Sequence, residues 1–304
     1  MSRLLAVSGH RPANLVPNTD LPVPMDDAWV LARTGIRTRA VADESVVDMA
    51  TAAAGKACAA AGLEPADVDL VILATCTMPT SMPGGAPQVA HRLGIQAGAF
   101  DVNSACAGFS TALQVAANAV DAGGARHVLV VGADRFSGWL DWTAPKTSVL
   151  FGDGAGAAVV GAGRGIGPVV WGSDGSGADL IRIDETSHLV AMDGPAVYRW
   201  AVRHAAEVAR SACAAAGLDV ADLAAFVPHQ ANLRIIRSLA TSLGLGPHTV
   251  VADDVSEVGN TSAGSIPLAL ARLLEEGRVP PASPALLVGF GAGLTWAAQV
   301  VRTP

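Results

Sequence analysis

Aromatic residues make up 4% of this chain and charged residues 15%, against 51% hydrophobic. So little charge in so apolar a chain excludes a disordered or solvating segment, and with Ala and Gly prominent it fits a compact enzyme of closely packed helices and strands. No apolar run reaches the roughly 18 to 20 residues of a membrane helix, so no membrane association is expected. The N-terminal MSRLLAVSGH has one Arg, a short apolar patch and no small-residue cleavage pattern; no signal peptide is expected, and a cytoplasmic location is. The four cysteines, at 58, 76, 106 and 213, show no CxxC spacing, which argues against structural zinc or a disulfide framework. Cys58 and Cys213 lie in alanine-rich helical stretches and are expected in the core. A net charge of -7 disfavours a nucleic-acid binder, so any acidic partner must meet a local basic patch.

What is present is an alternation of buried strands and helices. Apolar runs at 68–76, 99–103, 127–133, 155–161, 223–229, 248–254 and 284–290 are separated by helical patterns such as SVVDMATAAAGKACAAAG and PAVYRWAVRHAAEVARSACAAAG. The pattern predicts an α/β protein whose strands are covered on both faces. AAAGLEPADVDLVIL (59–73) aligns without gaps on AAAGLDVADLAAFVP (214–228), and each is followed by a helix ending in Leu-Gly. This order points to a duplicated unit with halves 1–165 and 166–304. The intervening GAGRGIGP is a turn too short to let the halves move freely, so one pseudo-symmetric body is expected.

Three side chains carry the chemistry. Cys106, in DVNSACAGF, ends a strand-like segment and precedes an alanine-rich helix; a helix N-terminus favours thiolate, which suits a nucleophile. His229, in VPHQANLRII, follows a strand and projects from the sheet rim, where open α/β folds place their sites. Asn260, in VGNTSAGSIPLAL, occupies a similar turn, in which Thr261 and Ser262 are also plausible helix caps. The glycine-rich turn GFGAGLTWAA permits close backbone approach, so a main-chain N–H can face a reacting carbonyl. FGDGAGAAVV lies between apolar strands without a helix start and reads as support beside the site rather than as a phosphate loop.

Together with WVLARTGIRTR (29–39), these motifs resemble the β-ketoacyl-acyl carrier protein synthase III family, in family order from near residue 29 to the C-terminus. The resemblance implies a thiolase-like fold, with duplicated βαβαβαββ halves in a five-layer αβαβα body. It implies that acyl-CoA acylates Cys106, with the thioester oxygen held by the backbone N–H groups of Cys106 and Ala292. Malonyl-acyl carrier protein then undergoes decarboxylative condensation, with His229 and Asn260 donating to the malonyl thioester oxygen. No metal and no cofactor beyond the acyl-CoA substrate are implied. Trp29, Arg33, Asn232 and Arg234 match positions that hold CoA, and Met82 matches the position at which a partner subunit closes the acyl tunnel of a homodimer. Arg203, Arg210, Arg234 and Arg237 are candidates for a carrier-protein patch.

The chain departs from the family pattern at Ala292, where glycine is usual, and at Pro145 and Lys146, near a usual CoA-contacting Arg. The stretch 173–192 is also short. An alternative reading is a synthase-like acyltransferase acting on a hydroxyl or amine without condensation. Retained Asn260 favours condensation, because transfer needs a base for its acceptor more than a second donor. A silent partner subunit would not need to keep the nucleophile.

Overall fold

The computed structural model describes residues 1–304. The first half contains β1 (Ser2–His10), a small antiparallel pair β2 (Leu15–Pro17) and β3 (Thr38–Ala40) around α1 (Asp27–Thr34), then α2 (Val46–Ala61), β4 (Leu70–Ala74), α3 (Gly85–Leu93), β5 (Gly98–Val102), α4 (Gly108–Asp121), β6 (His127–Arg135) and β7 (Asp153–Ala162). The second contains β8 (Val170–Ser173), the hairpin β9 (Ile181–Ile183) and β10 (Val190–Met192), α5 (Gly194–Ala215), β11 (Ala225–Pro228), α6 (Leu233–Leu243), β12 (Val250–Val251), α7 (Val255–Val258), α8 (Ser265–Glu275), β13 (Pro284–Gly291) and β14 (Thr295–Arg302).

The sheets repeat one another strand for strand. One has the order β1-β7-β6-β4-β5 and the other β8-β14-β13-β11-β12. In each, the first two pairings of that order are antiparallel and the last two parallel. All strands of the first sheet precede residue 165 and all of the second follow it. The gapless repeat in the sequence is the helix end, 3-10 turn and strand that lead into β4 and β11. Glu64 with Asp67, and Asp219 with Asp222, close equivalent capping boxes there.

Three apolar cores separate five layers. Helices α2 and α3 cover the outer face of the first sheet, α5 and α6 that of the second, and α4 with α8 fill the space between the sheets. The middle layer is tight because its residues are small: a Cβ on Gly108 would lie 3.1 Å from that of Ala74 and 3.4 Å from that of Ala263. Most outer helices are terminated locally. Helix α2 starts at the Ser45–Asp48 capping box and stops at Gly62, whose φ of 66° suits glycine. By contrast, α4 and α8 have no side-chain N-cap. Their opening turns, 3-10 segments at Ala105–Ala107 and Ser262–Gly264, meet at the junction of the halves. No helix is long and apolar enough to cross a membrane.

Candidate active site

Cys106 lies in the 3-10 turn that feeds α4, immediately after Ala105, which adopts a φ of 45°. The turn packs against the end of β13 so closely that a Cβ on Gly291 would sit 2.8 Å from the Cys106 nitrogen and 2.9 Å from its Cβ. Only glycine leaves that N–H uncovered. The helix terminus does not win over burial as the sequence suggested. Desolvation pushes the Cys106 thiol up to about 12, partly offset by a hydrogen bond from Ser262 and by its own backbone N–H, while nearby Asp134 raises it further. The resting site therefore holds a thiol.

His229 follows β11, its N–H donating to the Val288 carbonyl at 2.8 Å. Its ring meets Phe290 edge-on at 5.3 Å. Burial lowers its pKa to about 3, so the imidazole is neutral at working pH. The Ser265 hydroxyl lies 2.8 Å from Nδ1 and accepts the Gln230 N–H at 3.3 Å. When the hydroxyl gives its proton to Nδ1, the imidazole proton sits on Nε2.

Asn260 is held by the FGDG segment. Its N–H donates to the Leu150 carbonyl at 2.8 Å, and its own carbonyl accepts the Gly152 N–H at 3.0 Å. The Ser262 N–H donates to Asn260 Oδ1 at 2.9 Å. With that oxygen occupied, the amide NH2 is the donor that remains. In that tautomer each of the two neutral side chains keeps an N–H donor.

Cys106, His229 and Asn260 line one cavity of about 280 Å³. Its apolar wall includes Cys76, Phe136, Phe151, Ile181, Ile183 and Val190. Phe136 and Phe151 stack at 4.4 Å. A larger cavity of about 1040 Å³ shares Leu150, Arg182, Met192, Gly194 and Asn232 with the first. Its wall carries Arg33, Lys146, Arg182, Arg199 and Arg234 against the acids Asp179 and Asp193, an excess of cations suited to phosphates. An apolar pocket ending at a thiol therefore opens into a cationic one. No group of three or more His, Cys, Asp or Glu side chains is disposed to hold a metal ion.

The family models for 3-oxoacyl-[acyl-carrier-protein (ACP)] synthase III and for its C-terminal part match residues 100–175 and 213–303. The β-ketoacyl-[acyl-carrier-protein] synthase III 4 of Streptomyces coelicolor is 51% identical, over 100% of this chain and 99% of the relative. This chain belongs to the β-ketoacyl-acyl carrier protein synthase III family. A Streptomyces lividans synthase III is 46% identical, over 100% of this chain and 95% of its own. Among solved structures, the priming β-ketosynthase of the R1128 polyketide pathway superposes with a TM-score of 0.97 at 45% identity, covering 100% of this chain and 96% of that one. The synthase III of Aquifex aeolicus gives 0.95 at 37% identity, covering 99% and 100%. The thiolase fold of these enzymes is the fold described above, and the protein is an enzyme of the synthase III type.

The two cavities bring some of the expected residues together and leave others apart. Trp29, Arg33, Asn232 and Arg234 all line the larger cavity, but the Arg33 guanidinium already covers one face of the Trp29 indole at 4.6 Å. Asn232 spends its side-chain oxygen on capping α6 at Ile235 N–H. Lys146 lines the same cavity, so a cation is retained at the departure near 145. Ala292 lines the smaller cavity without a positive φ; the left-handed residue of that turn is Gly293, at 130°. The short 173–192 stretch supplies the β9–β10 hairpin and hence part of both walls. Met82 is 83% exposed and outside the cavity lining, so any role for it in a tunnel requires a second copy. Arg203, Arg210, Arg234 and Arg237 are exposed on the packed pair α5 and α6, but Arg210 is engaged by the Ser242 carbonyl and Arg234 stacks over Tyr198 at 5.3 Å. Sequence reasoning missed Arg182, Arg199, Cys76 and the contact of Ser262 with the nucleophile. The Arg-x-Asp pattern of β9 was the one available hint of a charged hairpin.

Proposed function

We propose that this enzyme primes a fatty-acid or polyketide pathway by decarboxylative condensation. Acyl-CoA enters through the cationic cavity, the Cys106 sulfur bonds to the acyl carbon, and the CoA sulfur leaves with the proton of the thiol. Backbone N–H groups of Cys106 and Ala292 hold the carbonyl oxygen during this exchange. Malonyl-acyl carrier protein then loses carbon dioxide, and the resulting enolate carbon attacks the Cys106 thioester. His229 Nε2–H and the Asn260 amide donate to the malonyl thioester oxygen as its charge grows. One such oxyanion donor contributes roughly 3 to 4 kcal/mol. Binding at the exposed arginines of α5 and α6 would bring in the acidic carrier, and a second copy of the chain would present Met82 to the acyl pocket.

The observation that carries this reading is the convergence on one cavity of a buried thiol and two neutral side chains, His229 and Asn260, each able to turn an N–H donor toward it. An acyltransferase acting on an alcohol or amine needs a base, and an imidazole with Nε2 protonated is a poor one. Intact-protein mass after incubation with a panel of acyl-CoAs should show an adduct that Cys106→Ala abolishes. Adding malonyl-acyl carrier protein should release carbon dioxide and a ketoacyl product. His229→Ala should slow that second step by roughly 10² to 10³ and acylation much less. Turnover with an amine or alcohol acceptor in place of condensation would favour the transferase.

A further inference from the structure

We propose that Ser262 is a further catalytic residue of the Cys106 acylation step, its hydroxyl hydrogen-bonding the sulfur as the thiol becomes thiolate. The proposal rests on the acylation of Cys106 described above. Ser262 Oγ lies 3.3 Å from Cys106 Sγ in a buried contact. On its other side, Cys76 Sγ lies 3.7 Å from the same oxygen. A serine hydroxyl has one proton and two lone pairs, so it donates to Cys106 while accepting from Cys76 S–H. Hydrogen bonds to an ionised partner are about twice as strong as neutral ones, so this one strengthens as charge grows on the sulfur.

The backbone is arranged to aim that hydroxyl. Ser262 adopts a φ of 50°, a strained conformation for a non-glycine residue that persists only where the surroundings impose it. They impose it through two neighbouring N–H groups: that of Ser262 on Asn260 Oδ1 at 2.9 Å and that of Ala263 on Asp134 Oδ2 at 3.0 Å. Nor is the serine a helix cap, since α8 has none. The step itself balances as thioester exchange: the Cys106 sulfur-to-acyl bond forms, the CoA sulfur-to-acyl bond breaks, and the Cys106 proton departs on CoA. Ser262 keeps its proton throughout.

The titratable groups facing Cys106 are Cys76 from the loop after β4, Asp134 at the end of β6 and His229 after β11. The test is the pH dependence of Cys106 alkylation by iodoacetamide, with peptide mass separating Cys106 from Cys76. In Ser262→Ala and Ser262→Gly the rate at pH 8 should fall about tenfold and the rising limb should move to higher pH, as expected for loss of a hydrogen bond to a charged group. Glycine adopts positive φ without strain, so Ser262→Gly carries the test if the alanine variant fails to fold. Superimposable curves for wild type and Ser262→Gly would overturn the proposal. Alkylation reads the sulfur without any acyl donor: a shifted curve alongside absent acyl adducts would overturn the acylation, and with it the catalytic role, and leave only the Ser262 hydrogen bond to the sulfur standing.

Discussion

The two halves build the same turn twice and use it differently. After β5 the chain enters the 3-10 segment Ala105–Ala107, and after β12 the segment Ser262–Gly264; each begins with a left-handed residue, at 45° and 50°. In the resulting correspondence Cys106 matches Ala263. The strands beside them match as well, since β4 pairs with β6 as β11 pairs with β13, which sets Asp134 against Gly291. In the structural copy the turn's N–H, that of Ala263, is taken by the Asp134 carboxylate at 3.0 Å. In the other copy Gly291 has no side chain to take the Cys106 N–H, which in the proposed mechanism holds the thioester oxygen. A duplicated device becomes an active site where a filling carboxylate is replaced by hydrogen.

The strongest way to break this comparison is to fill the catalytic copy. In Gly291→Ala the new Cβ would press on the Cys106 nitrogen and Cβ at 2.8 and 2.9 Å. Acylation of Cys106, followed by adduct mass against time, should slow by roughly 10² to 10³, the cost of one oxyanion donor. An unimpaired variant would show that this N–H does not hold the thioester oxygen.

Emptying the structural copy should cost stability instead. Asp134 Oδ1 accepts Thr75 Oγ1 at 3.0 Å, Cys76 N–H at 2.9 Å and Thr77 Oγ1 at 2.8 Å, besides the Ala263 bond on Oδ2. In Asp134→Asn one face becomes an NH2 that meets donors, leaving buried groups unpaired. The expected loss is about 2 to 3 kcal/mol, read as a lower urea midpoint with an unchanged slope. Wild-type stability in this variant would mean that the carboxylate does not tie the two loops together.

Much of this was legible because the relevant signals are local in sequence. Strand and helix alternation gave the sheets, and the 59–73 repeat of 214–228 gave the correspondence of β4 with β11. Cys106 and His229 could be picked out because each sits where an apolar strand gives way to a turn, whereas Asn260 follows the short helix α7 and stood out by its motif. Other features depend on distant partners. The thiolate expected from the helix start gives way to burial at Cys106, where Gly291 and Ser262 of the other half pack against it and no local pattern around residue 106 encodes them. Ser262 read as a possible cap because a left-handed φ and a contact across 156 positions leave no periodic trace. Arg182 reaches the cationic cavity because the short hairpin β9–β10 lines it, and Arg199 reaches it from the start of α5.

The smallest effect sharpens the comparison at another matched pair. The gapless repeat, continued by one residue, sets His229 against Ala74, so the catalytic copy alone carries a buried titratable group there. The folded-state pKa of His229 is lowered to about 3 by burial. With the pKa depressed, the unfolded chain binds the proton first as pH falls, so the contribution to stability is present above about 6.5 and is lost progressively down to about 3. Between those limits the slope is about 1.4 kcal/mol per pH unit. The wild type should therefore lose stability faster than His229→Gln as pH is lowered from 6.5 to 5, measured as the difference between their urea midpoints at each pH. Parallel curves would mean that His229 is protonated in the folded enzyme as readily as in water, and an imidazolium there could not accept the Ser265 proton that fixes its donor nitrogen.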